Sequence, residues 1–181
     1  MVNVDSKKNG FTLVEVLVVI IIMGVLSSMG VISMRNAVVN NRVRDYALNT
    51  AAFLERIAND ASRMSKTLCV RVMPKMINVY ESNCADVSNT TPVFDQFPLD
   101  PNLDSPAHFG CNIDDDIDES QNWVNNDGVA FVPRIGLSAA PSNGFVCIQY
   151  GSDEIYGLAI KEPGKNMIVP KWSAGGGWQK L

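Results

Sequence analysis

The spacing of apolar residues changes character along the chain. From Phe11 to Met34 runs a stretch of 24 residues with one charged side chain, Glu15, and no proline. At about 1.5 Å rise per residue, such a run is long enough as a helix to cross a hydrocarbon core of roughly 30 Å. Beyond Met34 the pattern turns amphipathic: Val39, Val43, Tyr46, Thr50, Phe53, Ile57, Ala61 and Met64 follow one another at steps of three or four. Arg42, Arg44, Asp45, Asn49, Glu55, Arg56, Asn59, Asp60 and Arg63 fill positions between them, which is the stripe of a helix laid on a core. No glycine or proline interrupts 31–65, so one helix is expected from Phe11 to Met64, half in a membrane (11–34) and half against a globular domain (35–65).

After residue 65 the period shortens. TLCVRVM (67–73) and MINVYES (76–82) are rich in β-branched and apolar residues with Pro74-Lys75 between them, which predicts a hairpin. Residues 83–128 carry prolines at 92, 98, 101 and 106 and many Asp and Asn, and read as a long, irregular, exposed insertion. Strand signals resume at 128–137, 144–150, 155–161 and 166–172, with turns at Gly151-Ser152-Asp153 and Pro163-Gly164-Lys165. The tail SAGGGWQKL reads as flexible apart from its tryptophan. The fold class is therefore α+β: a long N-terminal helix, then a small antiparallel β-rich domain over 66–181.

Charge and cysteine content narrow the setting. A formal net charge of −4 gives no global reason to expect binding to nucleic acid or anionic lipid. Lys7 and Lys8 look like the basic start of a secretory signal, but the apolar run is longer than the usual h-region and no A-x-A-like site closes it, so retention as an anchor is expected. Positive charges flank the run on both sides and do not orient it. All four cysteines, Cys69, Cys84, Cys111 and Cys147, follow the apolar run, as expected for two disulfides in an exported domain. Three connectivities exist; a hairpin turning at 74–75 favours Cys69 with Cys84, leaving Cys111 with Cys147.

A carboxylate five residues into a membrane segment needs a reason, because charge in a span is costly. Thr12-Leu13-Val14-Glu15 fits a capping box, T-x-x-E, which explains an acid at the third helical position and nothing more. The basic decapeptide ending in Gly10, the following Phe11, and a long helix leading to a β-rich domain together resemble the type IV pilin family, including the pseudopilins of type II secretion. The resemblance implies that a prepilin peptidase cuts between Gly10 and Phe11, removing a leader of residues 1–10 and methylating the new N-terminus at Phe11. It implies that Glu15 meets the Phe11 amine of a neighbouring subunit, so that a membrane liability becomes an assembly signal. It further implies an inner-membrane, single-pass protein with its C-terminal domain in the periplasm. The expected partners are other pilin or pseudopilin subunits, the peptidase and an inner-membrane assembly platform. The helix-kinking proline that many pilins carry is replaced here by Ile32. The single helix, paired strand groups and tryptophan-containing tail look like minor pseudopilins of the GspH/FimT type.

The remaining chemistry is thin. Asp114, Asp116 and Asp118 in NIDDDIDES alternate as in a calcium loop, but Glu119 stands where the loop needs glycine and Asn125 where it needs glutamate, so a solvated acidic loop is the better reading. His108 is the single histidine and no nucleophile motif, phosphate loop or H-E-x-x-H accompanies it; no cofactor and no enzymatic activity are expected. Some GspH/FimT relatives bind DNA, but this chain offers only Arg134, Lys161, Lys165, Lys171 and Lys180 toward such a surface. Two readings from different classes stand: a minor pilin or pseudopilin subunit that assembles, and an anchored periplasmic binding module that never polymerises.

Overall fold

The computed structural model describes residues 11–104, 122–123, 128–133, 143–151, 155–162, 166–174 and 177–181. A single helix, α1 (Leu13–Met64), precedes all the described strands. It starts behind Thr12 and ends at Ser65, whose φ of 55° is the left-handed turn that closes many helices. The Lys66 N–H then reaches back to the Ala61 carbonyl at 3.2 Å, satisfying one of the last carbonyls. Contacts divide the chain into two units, the first ending at Val38 and the second running from Val39 to Leu181.

In the first unit, the helix is apolar on every side. Leu13, Val16, Val18, Val19, Ile21 and Ile22 are 45–81% exposed, and at 100° per residue they point around the whole circumference. A helix with that surface is built for lipid or for neighbouring apolar helices rather than for water.

The second unit wraps the rest of α1 in two antiparallel sheets. The first sheet has the order β3-β2-β1-β5, with β1 Leu68–Met73, β2 Met76–Tyr80, β3 Val93–Pro98 and β5 Val129–Phe131. The expected hairpin is present: β1 and β2 pair from Cys69↔Tyr80 to Met73↔Met76, turning at 74–75. Strict alternation sends Leu68, Val70, Val72, Ile77 and Val79 inward against Phe53, Leu54, Ile57 and Ala61 of α1. The second sheet has the order β4-β6-β7-β8-β9, with β4 Leu103–Asp104, β6 Gly144–Tyr150, β7 Ile155–Lys161, β8 Val169–Ala174 and β9 Gln179–Lys180. Its inward residues Val146 and Ala159 join the same core. Gly157 lets the sheet close on the helix, since a Cβ there would lie 3.0 Å from Val43 and Ala47. Two covering sheets explain why the buried stripe is broader than a simple amphipathic helix, taking in Ala47, Ala51, Leu54 and Ala58 as well.

Phe145, Cys147, Leu158, Ile160 and Val169 form a second buried layer with Tyr156 and Trp178 on the opposite face of that sheet. Burial on both faces is why β6 and β7 read as continuous apolar runs instead of alternating ones. Residues 122–123 dock on β6: Asn122 bridges Phe145, and the Trp123 N–H donates to the Phe145 carbonyl at 3.0 Å. The indole of Trp123 packs over Gly144, and its Nε1–H points to the Asn143 carbonyl at 3.4 Å.

Two expectations need correction. The segment 83–128 is not one irregular insertion: it contains a 3-10 turn at Cys84–Asp86 and the strands β3 and β4. β3 pairs with β2 along its length despite Pro92 and Pro98, because a proline at either end of an edge strand removes no ladder bond that the sheet needs. The tail is likewise ordered at Gln179–Lys180, where β9 pairs with β8 and the Leu181 N–H donates to Pro170 at 3.1 Å. Of the expected strand over 128–137, Val129–Phe131 is observed and residues 134–137 lie outside the described residues.

Candidate functional site

The sequence singles out the N-terminal end of α1, and its local geometry is specific. Thr12 sits just before the first helical residue, and its Oγ1 accepts the Glu15 N–H at 3.3 Å while its carbonyl accepts from Glu15 and Val16 at 3.1 and 3.3 Å. That is the forward half of a capping box. The return half is missing: among the described residues the Glu15 carboxylate makes no hydrogen bond or ion pair, and its side chain is exposed. The cap thus uses the backbone of Glu15 and leaves its charge unspent. Phe11, 82% exposed, stands beside it with no apolar cover. A carboxylate without a partner among the described residues, on an apolar helix, is open to a cation. Gly10 lies outside the described residues.

Residues 5–31 match the prokaryotic N-terminal methylation motif. The match supports a type IV pilin-like prepilin, a structural rather than enzymatic class. It implies dealings with pilin subunits and a prepilin peptidase in general terms. Together with a helix long and apolar enough to cross a membrane, it fits a membrane-anchored protein. No curated protein and no solved structure gives a significant match to the chain.

The other residues named from sequence fall in separate places. Cys69 and Cys84 are joined, with Cα atoms 5.0 Å apart, tying β1 to the 3-10 turn over a small cluster with Tyr80 and Val87. Arg71 holds the same turn by donating to the carbonyls of Cys84 and Val87, both at 3.2 Å; sequence reasoning did not anticipate this role. Cys147 is also disulfide-bonded, and Cys111 lies outside the described residues. The acidic cluster Asp114, Asp116 and Asp118 and the lone His108 lie outside them too. Among the described residues no group of three His, Cys, Asp or Glu is placed to hold a metal.

Two members of the basic set considered for nucleic acid are withdrawn from the surface. Lys161 is 1% exposed, and Lys171 pairs with Glu162 at 3.2 Å with a side chain only 14% exposed. Of the rest, Lys180 is exposed and Arg134 and Lys165 lie outside the described residues. Coverage explains the loss: both lysines sit on inner strands of a sheet packed on both faces.

Burial pushes the Lys161 ammonium below its ordinary 10.5. A folded chain therefore releases this proton at lower pH than an unfolded one. Between the depressed value and 10.5 the unfolded state holds more protons, so this residue makes stability rise with pH. Lys161→Met is expected to lack that rise: its unfolding midpoint relative to the parent should be highest at neutral pH and fall as pH approaches 10.5. Paired melts at neutral and alkaline pH measure it, and a difference independent of pH would contradict the assignment.

Proposed function

We propose that the chain is a minor subunit of a type IV pilus or a type II secretion pseudopilus, of the GspH/FimT type, made as a prepilin and cleaved between Gly10 and Phe11. The observation that carries the reading is the Glu15 carboxylate, whose backbone is capped while its charge has no partner among the described residues, inside a matched methylation motif. Cleavage creates the one cation that suits it, a free amine at Phe11, and an amine in low dielectric is best met by a carboxylate of a neighbour. In this reading the first unit anchors the chain in the inner membrane and later packs in a filament, while the disulfide-braced second unit stays on the periplasmic side. No cofactor takes part, and calcium at Asp114, Asp116 and Asp118 is not needed. Uptake of DNA is the less favoured role, because Lys161 and Lys171 are not available to phosphates.

The processing step is tested on protein purified from native membranes. Intact mass and N-terminal sequencing should find a chain that begins at a methylated Phe11. A chain still carrying Met1, or one cut after Met34, would contradict the proposal.

A further inference from the structure

The globular unit handles its arginines uniformly, with one exception. Arg42 approaches Asp100 at 3.9 Å, Arg56 bonds Asp95 at 2.6 Å, Arg63 bonds Asp60 at 3.1 Å, and Arg71 donates to two carbonyls. Arg44 meets no oxygen among the described residues. Its guanidinium lies instead on the face of Trp172, with Cζ 3.9 Å from the ring centroid. The side chain is half-buried, and its Nε is buried without a hydrogen-bond partner, as are Trp172 Nε1 and, one helical turn earlier, Asn40 Oδ1. Among the described residues, three of the six buried side-chain atoms left without partners are these.

Contact with the ring only partly offsets the cost of withdrawing the Nε–H from water. The stack does something else well. A guanidinium held on a ring keeps the planar N–H groups that grip a carboxylate, and no oxygen among the described residues takes those of Arg44. We propose that Arg44 on Trp172 is a receptor for an aspartate or glutamate carried by an adjacent filament subunit. This rests on the reading of the chain as an assembling subunit and extends it by naming a second contact, in the globular unit, besides Glu15. Charge favours such an occupant: the chain is net acidic, and surfaces like its own exposed Asp45 and Asp86 carry the required group.

The test uses the full-length protein in its native membranes. A photoreactive residue replaces Leu48, which is one turn beyond Arg44 and 43% exposed. Crosslinked peptides should come from another subunit and contain an Asp or Glu, and Arg44→Glu should abolish them. Incorporation into sheared or crosslinked filaments, normalised to processed protein, should fall about tenfold for Arg44→Glu and much less for Arg44→Lys. Crosslinks confined to lipid or to residues 152–154 of the same chain would overturn the proposal, as would Arg44→Glu assembling within twofold of the parent. Because the crosslink is read in a chain with Arg44 intact, misfolding of the variant cannot mimic failure. If the parent chain enters no filament at all, the assembling-subunit reading falls and takes this one with it. If the parent assembles and Leu48 finds no acidic neighbour, only this inference is lost.

Discussion

Gly144→Ala is expected to destabilise the globular unit by about 3 kcal/mol, among the largest effects of any single methyl group in this chain. Two independent costs coincide there. The backbone has φ of +136°, a conformation that side-chain-bearing residues rarely adopt, and the new Cβ would fall 1.9 Å from Trp123 Nε1. Backbone strain of this kind costs on the order of 1–3 kcal/mol, and displacing a buried indole adds a similar amount. Gly151 separates the two terms, since its φ is +53° but nothing lies within 4 Å of its would-be Cβ. Gly151→Ala should therefore cost only about 1 kcal/mol. Denaturant midpoints of the three proteins decide it. Equal losses for the two variants would mean that Trp123 is not held against Gly144.

Much of the fold was legible because its signals are local. A run without prolines, followed by apolar residues at steps of three and four, dictates one helix, and α1 runs from Leu13 to Met64. β-Branched residues on either side of Pro74-Lys75 dictate a hairpin, and β1 and β2 turn there. What escaped was settled by tertiary contacts. VFDQFP carries an aspartate and a proline that argue against a strand, yet as β3 it needs only to pair along one edge, and Asp95 is held by Arg56 from the helix. Lys161 and Lys171 look like surface cations in a sequence, since nothing local shows that the second sheet is covered on both faces. The signal that warns of it is the unbroken apolar run of β6, which pairs with the strand of Lys161.

The site divides in the same way. The methylation motif matched over 5–31 was readable, because it is contiguous and a charge such as Glu15 in an apolar helix is conspicuous. The stack of Arg44 on Trp172 was not, because it joins residues far apart in the chain. Neither was the contact in which Glu55 Oε1 accepts the Ile168 N–H at 3.0 Å, which fastens α1 to the entrance of β8.

Removing the Glu15 carboxylate is expected to have the largest effect on function with almost none on folding. Glu15→Ala takes a charge out of an apolar helix, so membrane insertion should be unchanged or easier. The cap survives, because Thr12 Oγ1 bonds the backbone N–H of residue 15 and not its side chain. Processing should continue, since the residues flanking the bond, Gly10 and Phe11, are untouched. Assembly should nevertheless collapse: the Phe11 amine of the neighbour would be left without its counter-charge in low dielectric, a loss of about tenfold or more in incorporation. Glu15→Asp should recover part of it, limited by the shorter reach of its oxygens. The decisive measurement is the fraction of each processed protein that enters sheared filaments or crosslinked complexes in native membranes. Near-wild-type processing is expected, with incorporation reduced at least about tenfold for Glu15→Ala and intermediate for Glu15→Asp. Glu15→Ala entering filaments as well as the parent would show that the carboxylate has no part in assembly, and the proposed role of this end of the helix would be wrong.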